Sequence, residues 1–200
     1  MNLKLTNGYT VLHSLRLSAF QTASLMSSTG YATADTNTWS AFAKMLLLLC
    51  MLIGACAGST GGGIKVSRVQ IATKTVYRDV KRQVSPRFVY RVRSEGKALD
   101  NYTTNSVMTF IVSYALILLV SMLVISINGY DIETCFSSVV SGLSNMGPYF
   151  SATDGVNTSH FLHMAWYSKL VLSADMLLGR LEIFPFFILL SKSSIRRKYF

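Results

Sequence analysis

A run of small residues interrupts an apolar helical stretch, and this interruption constrains the fold more than any other feature of the chain. Residues 39–57 carry one charge, Lys44, and as a helix would be about 28 Å long, close to the thickness of a membrane interior. GSTGGG at 58–63, here called the glycine segment, follows directly. Glycine disfavours helix, so we expect the helix to break near Gly58, still at membrane depth. Irregular backbone is tolerated there only where protein buries it or water reaches it, which predicts an aqueous pathway lined by this segment.

Composition and charge favour a membrane protein. Half of the 200 residues are hydrophobic, 14% are charged and the mean hydropathy is +0.38. The net charge of +10 comes from two basic blocks, at 65–97 and 192–198, that flank apolar stretches. This placement indicates membrane topology and argues against nucleic acid as a partner, because basic loops stay in the cytoplasm. The carboxyl terminus is therefore expected in the cytoplasm, and the first block is either a solvated topology signal or a docking surface.

The apolar segments fall into two length classes. Spans are expected at 39–57, 107–127 and 164–190, with Trp39 as an interface anchor. The segments at 14–26 and 131–143 are too short to cross and fit re-entrant helices. The predicted fold class is an all-α integral membrane protein. We expect Cys50, Cys56 and Cys135 to be small buried hydrophobes, outside any disulfide or metal site.

An internal repeat relates the two halves of the chain. At an offset of 125 residues, four positions recur: Lys44 and Lys169, Met51 and Met176, Leu52 and Leu177, Gly54 and Gly179. At an offset of 117, three more recur: Ser24 and Ser141, Ser27 and Ser144, Gly30 and Gly147. Each copy is a short helix, a glycine-containing loop and a spanning helix. Because both copies run in the same direction, we expect a parallel repeat about an axis along the membrane normal. Short helices whose carboxyl ends point at a pore, followed by loops with exposed carbonyls, are typical of a cation filter.

Three strings then resemble a known family: SSTGYATAD at 27–35, GSTGGGIKVSR at 58–68 and MLLGRLEIFP at 176–185. They are similar to the Trk/Ktr/HKT potassium transporters, and within that family to the carboxyl-terminal half of the bacterial Trk system membrane subunit. The resemblance implies tandem helix–pore-helix–helix repeats of potassium-channel type, with re-entrant filter loops and a broken helix. It implies a partial third repeat at 1–75, a basic cytoplasmic linker at 76–102 and a fourth repeat at 103–200. The implied function is potassium uptake across the plasma membrane, without enzymatic activity.

The resemblance also implies roles for individual residues. Two loops, 28–31 and 145–148, would supply two quarters of the filter: Ser28, Thr29, Gly30, Tyr31, Asn145, Met146, Gly147 and Pro148. Potassium would be held at Thr29, Gly30, Asn145 and Gly147, and no cofactor is expected beyond the transported K⁺ and, as an open alternative, Na⁺. A gate loop would comprise Gly58, Ser59, Thr60, Gly61, Gly62, Gly63 and Lys65. Arg180 would be a pore-facing barrier beside that loop. Tyr149 departs from the family pattern, which has glycine after the proline, so local geometry and selectivity stay open.

The resemblance implies partners because two repeats of the family are not in this sequence. The chain is expected to be a fragment or to pair with the missing amino-terminal half, in membrane lipid, and homodimerisation is the other assembly implied. A cytosolic nucleotide-binding regulatory subunit is a further implied partner. The alternative is a truncated, non-conducting fragment or an assembly subunit.

Asp175, Arg180 and Glu182 lie inside the last span, and a charge near mid-bilayer costs about 2.5–3.5 kcal/mol, so they should face protein or water. Glu182 is expected to pair with Arg180 or to lie near the cytosolic edge. Asp175 fits no motif; a salt bridge to Lys44 or Lys169 and a functional role both stay open.

Two enzymatic interpretations are disfavoured. A phosphate-binding P-loop needs lysine directly after the last glycine, and here Ile64 intervenes. An intramembrane protease using Ser59 would need His13, His160 or His163 as its base, all expected on the opposite side of the membrane.

Overall fold

The computed structural model describes residues 10–59, 61–85, 92–94, 97–147 and 164–181. Within them the chain forms six α-helices, a 3₁₀ turn and one two-stranded antiparallel pair. The helices are α1 Val11–Met26, α2 Ala41–Ile53, α3 Val66–Val84, α4 Asn101–Ser126, α5 Ile132–Ser144 and α6 Trp166–Leu181. The turn is Thr36–Thr38, and the strands are β1 Arg93–Ser94 and β2 Lys97–Ala98. This short β pair is a small departure from the expected all-α fold.

Helix α4 is the long apolar helix. Its 26 residues begin at an N-cap, Asp100, whose carboxylate accepts a hydrogen bond from the N–H of Asn101 at 2.8 Å. Among the described residues it is the one helix both long and apolar enough to cross a membrane. It contains nearly all of the span predicted at 107–127. Of the span predicted at 164–190, residues 182–190 lie outside the described part of the chain.

Helix α2 is shorter than predicted, because it ends at Ile53 and not at Gly58. Gly54 has φ 72°, and a Cβ there would lie 2.7 Å from the carbonyl oxygen of Gly62. The expected break position is therefore wrong by four residues: the helix ends where the returning backbone of the glycine segment passes it. The returning chain then pairs with the end of α2, since the Lys65 N–H donates to the Ile53 carbonyl at 2.7 Å.

Helix α5 lies between two hydrophobic clusters. The first cluster joins α5 to α1 and α2 and contains Val140; the second joins it to α4 and α6 and contains Val139 and Leu143. Ten of its 13 residues are buried. Its buried hydroxyls find carbonyl partners: that of Ser138 donates within the helix to Cys135 at 3.0 Å, and that of Ser144 donates to Met51 in α2 at 2.9 Å. The second short helix is thus enclosed by the rest of the fold, and its carboxyl end is fixed in place.

Two expectations about single residues are wrong. Trp39 is 5% exposed and packs in the first cluster, so it is a core residue and not an interface anchor. Cys135 is buried as expected, but Cys50 is half-buried and Cys56 is exposed, because it lies in the loop beyond Gly54. All three cysteines are free.

Candidate functional site: two repeated loops and the glycine segment

The two predicted loops have the same backbone conformation. Ser28 and Asn145, the residues that follow α1 and α5 at equivalent positions, have φ values of 58° and 55°. Gly30 and Gly147, again equivalent, have φ values of 72° and 91°. Non-glycine residues rarely adopt positive φ, so the agreement at a shared offset is specific. The sequence repeat is therefore also a repeat of backbone structure.

Equivalent hydrogen bonds stabilise the start of each loop. The Thr29 N–H donates to the Ser24 carbonyl at 3.1 Å, and the Met146 N–H donates to the Ser141 carbonyl at 3.0 Å. Both bonds span five residues and close the last turn of the helix, as in common helix C-caps. Each short helix therefore passes into its loop through one shared local structure.

The glycine segment docks on the carboxyl end of α5. The N–H groups of Gly62 and Gly63 donate to the carbonyls of Ser144 and Leu143, at 3.2 and 3.3 Å. A helix leaves its last carbonyls without partners inside the helix, and here the glycine segment supplies two donors. A Cβ on Gly62 would lie 2.5 Å from the Leu143 carbonyl oxygen, so this approach requires glycine.

The first loop reaches the same place. The hydroxyl of Ser28 donates to the Ser144 carbonyl at 3.1 Å. A Cβ on Gly61 would lie 2.8 Å from that hydroxyl oxygen. The Ser144 hydroxyl in turn donates to the Met51 carbonyl in α2 at 2.9 Å. The first loop, the glycine segment and the start of the second loop therefore meet around one helix end, although Ser28 and Ser144 are 116 residues apart.

Helix α6 closes the other side of this helix end. A Cβ on Gly179 would overlap the Leu143 carbonyl oxygen and would lie 2.9 Å from the side-chain nitrogen of Asn145. The next residue, Arg180, is in the last turn of α6 and its side chain is exposed. The predicted barrier residue is thus one position from the contact between α6 and the second loop.

The remaining predicted site residues are placed as follows. Tyr31 is 74% exposed, and the hydroxyl of Ser59 is buried with no hydrogen-bond partner within the described residues. Lys65 has φ 74°, an uncommon conformation for lysine, and directly precedes α3. Four discussed residues lie outside the described part of the chain: Thr60, Pro148, Tyr149 and Glu182. The same holds for His160 and His163.

The buried charge of α6 has a partner that the sequence did not indicate. One carboxylate oxygen of Asp175 accepts a hydrogen bond from the Ser121 hydroxyl in α4 at 2.8 Å. Of the alternatives left open for Asp175, a salt bridge to Lys44 is not formed, because Lys44 pairs with Glu133 at 3.2 Å. Ser121 and Asp175 are 54 residues apart, so no local spacing could have indicated the pair. The sequence did offer one signal: Asp175 is a charged residue within an apolar helix, which indicates a buried polar partner or a functional role.

A cavity of about 460 Å³ lies between α2, α4 and α5. Apolar side chains, among them Leu48, Met122 and Phe136, line it, and the Lys44–Glu133 pair also borders it. Such a lining offers an ion few oxygen ligands, so this cavity is not an ion site.

The described residues form an apolar helical fold with one helix of spanning length and a repeat that extends to the backbone, features typical of a repeat-built helical membrane protein. Residues 3–199 match the TrkH family model, described as a cation transport protein, and the chain belongs to this family. The resemblance to Trk/Ktr/HKT transporters carried by the three strings is thereby confirmed.

Individual relatives agree with the family match. The chain is 39% identical to the Trk system potassium uptake protein TrkH of Salmonella typhimurium over 178 residues, 89% of this chain and 36% of that protein. It is 35% identical to TrkG of Escherichia coli over 174 residues, 87% of this chain and 35% of that one. The crystal structure of the potassium transporter TrkH from Vibrio parahaemolyticus matches with a TM-score of 0.84 and 36% identity, covering 96% of this chain and 41% of that chain. The chain thus spans between a third and two fifths of the length of these relatives.

Proposed function

We propose that this chain forms two of four repeats around a potassium uptake pathway in the plasma membrane, with its carboxyl terminus in the cytoplasm. One observation carries the proposal: two loops, 117 residues apart, share left-handed backbone positions and meet the glycine segment at one helix end. Family membership and relatives described as potassium uptake proteins support it. On this proposal residues 1–75 are a partial third repeat, without its first helix, and residues 103–200 are the fourth helix–pore-helix–helix repeat; the basic linker at 76–102 joins them.

The ion would be bound by backbone oxygens of the two loops. Helices α1 and α5 act as re-entrant pore helices, and their carboxyl ends carry partial negative charge that favours a cation. Positive φ at Gly30 and Gly147 turns neighbouring carbonyls towards a path, where they replace the water shell of K⁺. Thr29, Gly30, Asn145 and Gly147 are the proposed ligands in this half of the filter.

The glycine segment would act as a gate. Its two backbone hydrogen bonds to α5, and the contact between Gly61 and Ser28, hold it against the helix end. A net worth of about 0.5–1.5 kcal/mol for each hydrogen bond gives a contact that small forces can open and close. Arg180, next to this contact, would add a fixed positive charge that lowers cation occupancy below the filter.

The proposed assembly includes further protein. Two repeats do not enclose a four-sided filter, so we propose pairing with an amino-terminal half, and a homodimer of complete transporters in membrane lipid. A cytosolic nucleotide-binding subunit would dock on the basic side. The exposed basic residues of α3, Lys81 and Arg82 among them, offer it a surface.

Potassium-limited growth of uptake-deficient cells, together with rubidium tracer flux, tests the function in the complete transporter that contains this chain. Wild type should restore growth, and Gly147→Ala should abolish K⁺ selectivity because alanine disfavours φ 91°. Gly129→Ala is the matched control: both glycines have positive φ and open space around a Cβ, but Gly129 lies in the turn between α4 and α5, outside the two loops. If the wild-type protein reaches the membrane but produces no rubidium flux, the result supports the alternative of a non-conducting subunit.

A further inference from the structure

The carboxylate of Asp175 is buried against the last turn of α5, and no charged group of the described residues donates a hydrogen bond to it. Asp175 is 2% exposed, and the Ser121 hydroxyl is the group that donates to one of its oxygens, at 2.8 Å. A buried carboxylate is costly unless several donors compensate it, and one neutral hydroxyl supplies a single bond. The position of Asp175 therefore calls for further donors on the other oxygen.

Two such donors lie in the same region. The second oxygen of Asp175, the Tyr114 hydroxyl and the side-chain nitrogen of Asn145 are buried, and none has a hydrogen-bond partner among the described residues. Tyr114 is 2% exposed and packs in the second cluster with Leu143 and Leu172, and both Leu172 and Asp175 face Gly142. One acceptor and two donors are complementary, and native proteins rarely leave such atoms unsatisfied. A water molecule that makes two to four hydrogen bonds is the usual ligand of such a site.

Close packing connects this site to the second loop. The Cβ of Asp175 is 3.5 Å from where a Cβ on Gly142 would lie, so α6 touches the last turn of α5. One turn further along α6, the backbone of Gly179 abuts the Leu143 carbonyl and the Asn145 side chain. Asn145 is the left-handed residue that begins the loop, with φ 55°. Whatever fixes its side chain also fixes the direction of the loop carbonyls.

The first repeat lacks this arrangement. The position equivalent to Asp175 is Cys50, which is half-buried, and the position equivalent to Asn145 is Ser28. Ser28 is held directly, by its own hydroxyl on the Ser144 carbonyl. The first loop thus has a direct side-chain tether, whereas the second has a buried carboxylate behind it.

We propose that Asp175 is a positioning residue for ion selectivity: with Tyr114 and Asn145 it forms a buried water-binding site that holds the second loop. This inference rests on the proposed function, because it assigns the loop's geometry to filter selectivity. Asp175 acts through Asn145 and does not touch the ion.

Asp175→Asn tests the inference in the complete transporter. The amide keeps the shape and the bond from Ser121, but it replaces the second carboxylate oxygen, an acceptor, with a donor. The K⁺-over-Na⁺ flux ratio should fall about three- to tenfold, the effect of losing one hydrogen bond of typical net strength. Tyr114→Phe should give a smaller fall, and the double variant should fall less than the product of both, since the residues share one site.

Ser173→Ala is the matched control, because its exposed hydroxyl, in the same helix, donates only to its own helix at Lys169. The inference is overturned if Asp175→Asn changes neither the K⁺-over-Na⁺ flux ratio nor the KM for K⁺, and lowers maximal flux only in proportion to the amount of transporter in the membrane. Asp175 would then have only a structural role. In that case wild type would still transport and Gly147→Ala would still lose selectivity. Absence of wild-type transport would instead overturn the proposed function and this inference together.

Discussion

The first and second repeats present the same loop backbone but support it differently. In the first, side chains of α1 bind the loop: the Ser24 hydroxyl donates to the Tyr31 carbonyl at 2.7 Å, and the Gln21 amide donates to the Ala34 carbonyl at 3.1 Å. In the second, backbone from elsewhere packs on the helix end, through Gly62 and Gly179. One loop is held by local hydrogen bonds and the other by close packing. Substitutions should therefore act differently in the two repeats.

Gly62→Ala should have the largest effect. The added Cβ would lie 2.5 Å from the Leu143 carbonyl oxygen and within 3 Å of the Ser144 backbone, and backbone atoms cannot move aside easily. Either the glycine segment leaves α5 or the second loop shifts. We expect one of two changes in rubidium flux: flux that persists when the transporter should be closed, or a fall of at least tenfold. The melting temperature should be lowered by several degrees. Gly129→Ala, which adds the strain of a positive φ in open space, should leave the flux unchanged and lower the melting temperature less. An unaffected Gly62→Ala would show that packing does not support the second loop.

Arg180→Ala should have the next largest effect, with the opposite sign. The position equivalent to Arg180 in the first repeat is Ala55, so one repeat carries the charge and the other does not. The proposed function places Arg180 beside the ion path, so removing its charge should raise potassium flux severalfold by lowering the local barrier to K⁺. Arg180→Lys keeps the charge and should stay near wild type. If flux and gating are unchanged in Arg180→Ala, the charge of Arg180 does not explain the difference between the repeats.

The sequence predicted those parts of the site that depend on local chemistry. The short helices, their loops and the repeat follow from segment length and from serine and glycine positions, and α5 at Ile132–Ser144 lies within a residue of the expected 131–143. The end of α2 was misplaced because it depends on contact between Gly54 and Gly62, which no local pattern encodes. The burial of Trp39 and the Asp175–Ser121 bond depend in the same way on distant neighbours.

Ser24→Ala tests the local support of the first loop. It removes one hydrogen bond to the Tyr31 carbonyl, a net loss of about 0.5–1.5 kcal/mol, and should raise the K⁺ KM by about two- to tenfold. Ser18→Ala is the control, since the exposed Ser18 hydroxyl donates to Leu15 within the same helix. A KM unchanged in Ser24→Ala would mean that the first loop, like the second, is held by packing.

The smallest effect is expected at the ion pair that joins the repeats, Lys44 in α2 with Glu133 in α5. Their side chains are 17% and 38% exposed and the atoms are 3.2 Å apart, so water and salt screen the pair. Such pairs contribute about 0.2–1 kcal/mol. Thermal unfolding of Lys44→Ala, Glu133→Ala and the double variant should give a coupling energy in that range, decreasing as salt is added. Lys74 offers the control, because its ammonium donates to the Arg93 carbonyl and not to Glu133. The effects of Glu133→Ala and Lys74→Ala on stability should be additive. A larger, salt-insensitive coupling would make this pair a third support of the second short helix, beside Gly62 and Gly179.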